Sequence, residues 1–412
     1  MAPDPVHRTR LAAATERPTE GSGHTERPTT TAEAAEILRR TSGSVLLRGA
    51  GTHLDWAGRV TDPELVLDTT GLQGVLTYNP ADMTASVLAG TPLRLLQGHL
   101  AGNNQWVALD PPAAAAGATV GGLLAAGDSG PSRLRYGGIR DLVIGVTLVL
   151  ADGTVARSGG HVIKNVAGYD LAKLVHGSLG SLALIAEVVV RLHPRPESSI
   201  TTAGTADAAQ ATAACLAIAA SPLEPAAVEW VSGGDAGSLI VRTDGAAVPV
   251  DASSRQMADL LRGLGIDVCT LSPPDAAVQW AAHCAAVLGA DGGTVARIAG
   301  RPGDLADLAR TAAGAARRAG VEVAMVSSAG VGLHTIRFHG GAPDGQALAF
   351  TELREHALSR GASVLLRQRP PEVEALVDVL GPPPSTARLL RAIKTRFDPA
   401  GRLAPGRFAP WY

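Results

Sequence analysis

The chain has 412 residues, a formal net charge of −2 and only 3% aromatic side chains. That balance excludes a nucleic-acid surface, which needs clustered basic charge and stacking rings. The length leaves room for two domains with substantial cores.

The first thirty residues are rich in Pro, Thr, Glu and Arg and hold no apolar run, so residues 1–30 are expected to form a mobile tail. No signal peptide is evident, and no apolar stretch reaches the ~20 residues of a membrane span; a cytoplasmic location is expected. A helix is expected over Thr31–Arg40, then strands at Val45–Arg48 and Leu65–Asp68, with a glycine turn between them. A further strand, a turn and a helix entering near Pro92 follow. Asp152-Gly153 should turn a hairpin between Val146–Leu150 and Val155–Arg157. The run Leu182–Val190, apolar apart from Glu187, reads as a buried strand. Gly177 and Gly180 ahead of it permit a sharp turn or a close approach to a flat ligand.

Mixed strand pairs and short helices make this an α+β chain. RLHPRPESS reads as a linker closing a first domain over residues 31–195. Residues 196–380 read as a second α+β domain, with helices near Ala208–Ala220 and Leu305–Ala319 and no evident internal repeat. In the closing segment, 381–412, Ser385 is placed to cap a helix that runs to about Phe397.

Three motifs carry chemistry. Arg48-Gly49-Ala50-Gly51-Thr52-His53 follows a strand, and successive N–H groups in such a turn form an anion-binding concavity. Leu54 stands where the last glycine of GxGxxG belongs, so this is no Rossmann fingerprint. The second stretch runs from Pro112 through Gly117, Ala118, Thr119, Gly121 and Gly122, where small residues suit a backbone pressed on a flat heterocycle. The third is Lys164-Asn165 with Gly168, Tyr169 and Asp170; Asp170 is also placed to cap the helix that follows. Only Lys164, Lys173 and Lys394 are lysines, so 36 − 3 = 33 of the basic residues are arginine. Two of the three fall in this one segment, which marks Lys164 or Lys173 for a task that arginine would not serve.

These blocks, with Ser129-Gly130, Tyr136-Gly137 and Arg140-Asp141, resemble the FAD-binding subunit of bacterial glycolate oxidase. The wider group is the vanillyl-alcohol-oxidase, or PCMH-type, flavoproteins. The ending RAIKTRFDPAGRLAPGRF resembles the family's closing helix and "NPGR" finish, with Ala404 in place of the usual Asn. The resemblance implies a two-subdomain FAD-binding domain, a smaller α+β cap domain and a C-terminal helix returning to the first domain. It also implies that Arg48 to His53 cradle the FAD pyrophosphate, and that the matched glycines, Gly180 and Ile185 among them, line the cofactor. Lys164 would then tune the flavin electrostatically, while Arg140 and Asp141 fit either a flavin contact or a structural ion pair. No other catalytic residue is assigned. His53 stands near where some members attach FAD covalently; the rest of the match points to non-covalent FAD.

The histidine metal motif of relatives that oxidise 2-hydroxy acids alone is missing. His334 and His339 lack its flanking residues, and five positions apart on a strand they face opposite ways; no metal is expected. His176 and His193 are unassigned. Cys215, Cys269 and Cys284 show no CxxC spacing and indicate a reducing compartment. They are too few for an iron–sulfur cluster, which takes four ligands, so such a cluster belongs to another chain.

The reading that follows is an FAD-binding subunit of a glycolate-oxidase-like complex. Glycolate or a similar small 2-hydroxy acid is oxidised, beside a second flavoprotein subunit and an iron–sulfur subunit, and dehydrogenation falls to the sister flavoprotein. One alternative is a self-sufficient flavin dehydrogenase whose arginines, Arg297, Arg367 or Arg369, clamp a carboxylate; in so arginine-rich a chain these are expected at the surface. The other is a scaffold of flavin fold that binds no flavin.

Overall fold

The computed structural model describes residues 23–60, 62–162, 168–233, 236–289 and 292–412. Strand β1 (His24–Glu26), helix α1 (Thr31–Arg40), β2 (Val45–Arg48) and β3 (Leu65–Asp68) open the first domain. They form a parallel sheet of order β1-β3-β2. Residues 24–26, expected in the tail, are instead an edge strand, because their backbone pairs with β3 and Arg27 binds Asp68 at 2.8 Å.

The second subdomain is an antiparallel sheet of β4 (Val75–Asn79), β5 (Thr84–Leu88), β7 (Val143–Val149), β8 (Val155–Gly159) and β9 (Leu184–Arg191), in the order β4-β5-β9-β7-β8. Between β5 and β7 lie α2 (Leu93–Leu100), β6 (Gln105–Trp106), α3 (Val120–Ala126), α4 (Arg133–Tyr136) and α5 (Ile139–Leu142); α6 (Leu171–Val175) follows β8. The β7–β8 turn holds Gly153 at φ 81, which a glycine takes without steric cost. Strand β9 is central, hence its apolar run. Its lone carboxylate, Glu187, accepts from Ser86 on one neighbouring strand and from Thr147 on the other. A core of Ile37, Leu38, Leu67 and Leu184 joins the small sheet to the back of the large one.

The expected linker is largely strand. β10 (His193–Pro194) pairs with β6, and β11 begins at Ser198. The second domain is a single eight-stranded sheet. Its first half runs β11 (Ser198–Ala206), α7 (Ala208–Ala219), β12 (Ala227–Ser232), β13 (Gly237–Gly245), α8 (Ala247–Gly263), β14 (Val268–Thr270). After helix α9 (Pro273–Leu288), the second half runs β15 (Thr294–Ala299), α10 (Leu305–Ala319), β16 (Glu322–Ser328), β17 (Leu333–His339), α11 (Pro343–Ser359), β18 (Ser363–Gln368). The strand order is β14-β11-β13-β12-β16-β17-β15-β18. Each half is therefore a split βαββαβ unit, and β12 pairs with β16 across the seam. This repeat, absent from the sequence reading, lives in the order of elements and not in residue identity.

Period-2 alternation gives that sheet two faces. Val228, Trp230, Ala296, Ile298 and Leu366 face the core beneath α7, α10 and α11. Glu229, Arg242, Arg297, Thr335 and Arg367, at the alternate positions, face the first domain. There Arg242 donates to Asp110 at 2.9 Å and to Ser132 at 2.6 Å, and Arg297 donates to the Gly127 carbonyl.

After α12 (Pro371–Glu374), α13 (Ala387–Phe397) carries the chain back. Thr386, not Ser385, is the residue before this helix, and no side-chain cap bond forms there. Leu403 then bridges to Val45 beside β2.

Candidate functional site

The turn leaving β2 is half-buried from Gly49 to Leu54. Among the described residues, the N–H groups from Gly49 to His53 donate to no protein acceptor. Gly51, at φ 75, adds the left-handed step that turns consecutive amides toward one point. Opposite stands the loop into α3. A Cβ on Gly49 would lie 2.5 Å from Thr119 Oγ1, and one on Gly121 would lie 2.6 Å from the Ala89 Cβ. The third wall is Leu179–Ile185, with Gly180 at φ 78. Together these walls form a concave cleft, the shape that small-molecule and cofactor sites take.

Arg48, Gly49, Ala50, Gly51, Thr52 and His53 line one side, Thr119, Gly121 and Gly122 the second, Gly180 and Ile185 the third. Pro112 and Gly130 line a second cavity next to it. The other candidates sit elsewhere. Ala118 accepts from Leu93 N and holds the loop behind Thr119, with Gly117 at φ 84 before it. Ser129 Oγ accepts from Ile139 N, and Tyr136 packs edge-on to Trp106 and His193. Gly137 takes φ 81, and a side chain there would also meet Asp141. Arg140 and Asp141 are exposed; Asp141 accepts from Gly138 N at 2.9 Å. Gly168 is left-handed and Tyr169 is exposed, both away from the cleft lining. Lys164 and Asn165 lie outside the described residues. Asp170 caps α6 through Lys173 N, and Lys173 makes a half-exposed ion pair with Asp170.

Charge around the cleft is arranged by burial. Asp68 ties Arg48 and Arg27 together; burial would raise its carboxyl, but hydrogen bonds from Thr70 and Arg27 outweigh that and lower it. His53 Nε2 lies 3.1 Å from Asp128 Oδ2, and its Nδ1 lies 2.8 Å from the Thr52 hydroxyl. Asp128 is held well below the usual carboxylate range. Burial opposes this, and the His53 hydrogen bond with the charges of Arg367 and Arg297 overcomes it.

Arg297, Arg367 and Arg369 are not surface arginines. Alternation along β15 and β18 turns the first two toward the first domain, which covers them. Both sit over the indole of Trp56, Arg367 at 4.2 Å and Arg297 at 5.5 Å. Arg369, 2% exposed, binds the carbonyls of Asp55 and Ala57 and the Glu374 carboxylate. The second cavity is lined by Arg297, Arg367, Asp128 and His283 among others. Sequence reading missed Asp128, Trp56, Glu229 and His283, which have no local motif. Arg407 it held only as part of the closing resemblance; its Nη1 donates to the carbonyls of Leu54, Trp56 and Gly58 at the cleft wall. Among the described residues, no three His, Cys, Asp or Glu side chains gather as a metal site would need, and no helix is long and apolar enough to cross a membrane.

Comparison with known proteins agrees with this geometry. The FAD binding domain family model matches residues 24–159. Glycolate oxidase subunit GlcE of Escherichia coli is 37% identical over 134 residues, 32% of this chain and 38% of that protein. Glycolate oxidase subunit GlcD of Bacillus subtilis is 32% identical over 232 residues, 55% of this chain and 48% of that protein. The chain thus spans less than half the length of these curated relatives. Substrate-bound p-cresol methylhydroxylase superposes with a TM-score of 0.71 at 17% identity, covering 93% of this chain and 88% of that one, a likeness of fold alone. The chain carries an FAD-binding domain within a PCMH-type α+β fold.

Proposed function

We propose that this chain binds FAD non-covalently in its glycine-lined cleft and serves as the flavin subunit of an FAD-linked oxidoreductase. Its substrate is glycolate or a similar small 2-hydroxy acid, and electrons leave to an iron–sulfur subunit beside a second flavoprotein subunit. The observation that carries this reading is the turn from Gly49 to His53, whose amides have no protein acceptor and face a wall stripped of side chains at Gly121 and Gly180. Amides so arranged hold a pyrophosphate. When bound, FAD supplies the hydride acceptor. The chain's own residues orient it: Arg48 and Arg407 set positive charge along the cleft, and Thr119 fixes the loop that meets Gly49. Lys164 and Asn165 keep their place in the proposal as flavin-tuning groups.

Both His53 ring nitrogens are engaged, by Thr52 and Asp128, which supports a non-covalent cofactor. Cys215, Cys269 and Cys284 are all free. A cluster therefore draws its ligands from another chain.

The test is the visible spectrum of the purified chain, kept anaerobic, before and after glycolate. A flavin band that survives dialysis and is lost to the supernatant on acid precipitation supports the reading. A colourless protein that takes up no added FAD refutes it and favours the scaffold. A second reading, dehydrogenation within this chain, is favoured by the buried arginines next to the cleft. Bleaching by glycolate without any partner would select it.

A further inference from the structure

Residues 54–58 carry the chain out of the anion-binding turn, and their five consecutive carbonyls all end on two guanidinium groups. Arg407 Nη1 takes the even positions, donating to Leu54, Trp56 and Gly58 at 2.6, 2.8 and 2.9 Å. Arg369 Nη1 takes the odd ones, donating to Asp55 and Ala57 at 2.6 and 2.7 Å. Arg369 directly follows β18 of the eight-stranded domain, and Arg407 lies in the closing segment. They stand 312 positions from Ala57 and 351 from Trp56. The loop is therefore held by parts of the chain remote from its own sheet.

Both donors are buried, Arg369 at 2% and Arg407 at 3% exposure, and the Nε of each has no partner. Their hold on the loop runs through Nη1. Burial and the nearby Arg369 charge draw Arg407 down to about 10. Two cations buried this close are costly unless fixed dipoles answer them, and the five carbonyls are those dipoles. Glu374 joins Arg369 to Arg59 at the loop's far end, 2.7 Å from each. The backbone between is strained to match. Ala57 is fully buried at φ 58, a left-handed conformation that a Cβ disfavours, and its N–H donates to Leu366 O of β18 at 2.9 Å. Gly58 donates to Arg407 O at 3.0 Å, and a Cβ on it would lie 2.3 Å from Gly406 O. Such strain persists only where the surroundings over-determine it.

The hold ends where the turn begins, since Leu54 adjoins His53. Fixing a backbone that contains Gly49 and Gly51 costs conformational entropy, and that cost falls on ligand binding unless the protein has already met it. We infer that Arg369 and Arg407 are positioning residues for the anion-binding turn: by holding the carbonyls of residues 54–58 they pre-set the amides of Gly49 to His53. Because Arg369 belongs to the eight-stranded domain, docking of that domain and anion affinity at the cleft rise together. The inference rests on the flavin reading for the anion, the FAD pyrophosphate, and not for the hold on the loop. Arg369 does not line the cleft, so its influence on a ligand passes through the loop. Coupling of this kind is reciprocal: a ligand on the turn tightens the contact between Ala57 and β18.

The experiment follows two quantities in the full chain: hydrogen exchange at the Ala57 and Gly58 amides, and the FAD dissociation constant from quenching of flavin fluorescence. Arg369→Ala should speed exchange at both amides about tenfold or more and leave helix α1 unchanged. It should raise the FAD dissociation constant roughly 10- to 100-fold. Millimolar guanidinium chloride should restore most of that affinity, whereas methylammonium, a cation without the planar fork, should not. A general loss of stability would not respond to the shape of the added cation. FAD should in turn slow exchange at Ala57 in the wild type. Should Arg369→Ala fail to fold, Glu374→Gln loosens the same guanidinium from a half-buried carboxylate and should weaken FAD by about threefold or more. FAD affinity within about twofold of wild type in the folded variant, unchanged exchange at Ala57 and Gly58, or equal rescue by both cations overturns the inference. Were the wild type to bind inorganic pyrophosphate but no FAD, with pyrophosphate weakened in the variant, the flavin reading alone would fall.

Discussion

Replacing Lys394 with Met tests how the C-terminal segment supports the cleft. The ammonium has three donors, and all three are used: on Ser181 O at 2.7 Å, Asp398 Oδ2 at 2.6 Å and Leu403 O at 2.9 Å. Its side chain is 14% exposed and that of Asp398 is 0% exposed. Met fills the volume of the stem, so the loss is electrostatic: a buried carboxylate stripped of its cation, and two carbonyls stripped of a donor. Breaking a buried pair from one side costs about 3–5 kcal/mol. Asp398 keeps the Arg402 and Leu403 amides, which places the expectation at the low end, about 3 kcal/mol. Lys394→Arg should not rescue, since a planar fork cannot reproduce three tetrahedral donors. Urea unfolding followed by far-UV circular dichroism gives the stability, and FAD titration gives the consequence for the site. Ser181 adjoins Gly180, and Leu403 lies beside β2, so FAD affinity should fall as well. A loss below about 1 kcal/mol, or full stability in the arginine variant, would refute the reasoning.

Gly49→Ala should leave the protein folded but raise the FAD dissociation constant by roughly tenfold or more, because the new methyl meets Thr119 2.5 Å away; quenching of flavin fluorescence on binding checks it. Ala404 holds φ 45 where the resembled family has Asn. Ala404→Gly should therefore stabilise by about 0.5–1 kcal/mol, read as a higher melting temperature, and a lower one would contradict the strain. His334 is buried and pulled down to about 4 by that burial, against the smaller upward pulls of Asp304 and Arg301. Because the fold prefers the neutral ring, its contribution is present above the unfolded value near ~6.5 and is lost as pH falls toward 4, by up to about 3 kcal/mol. His334→Gln should flatten the stability curve across that window, and an unchanged slope would remove His334 as the cause.

The first domain was legible because its signals are local. The Thr31–Arg40 helix, the strands around the Gly49 turn and the Asp152-Gly153 hairpin each follow from residues next to one another. The second domain was not, because its order is set by pairing over long separations. The β12–β16 seam joins Glu229 to Ser328, ninety-nine positions apart. Arg297 and Arg367 looked like surface charge because nothing nearby in sequence says which sheet face is covered. Of the two lysines among the described residues, Lys173 sits in a half-exposed ion pair, whereas Lys394 is the ammonium with all three donors spent. Glu229 and His283, on a strand and on the linking helix, are 54 positions apart and meet only through the tertiary fold.

The doubled βαββαβ unit has one more consequence. The cap is in effect a two-fold dimer written on a single chain, with β12 and β16 as its dimer contact. A true pair of identical subunits would offer the same surface twice, once for each partner. Fusion removes that equivalence, because one connector joins the halves and can lie over the seam on one side only. Helix α9 is that connector, and it delivers one histidine to one carboxylate. Handedness at the cavity thus originates in the join between the repeats, and either half could diverge elsewhere while the asymmetry held.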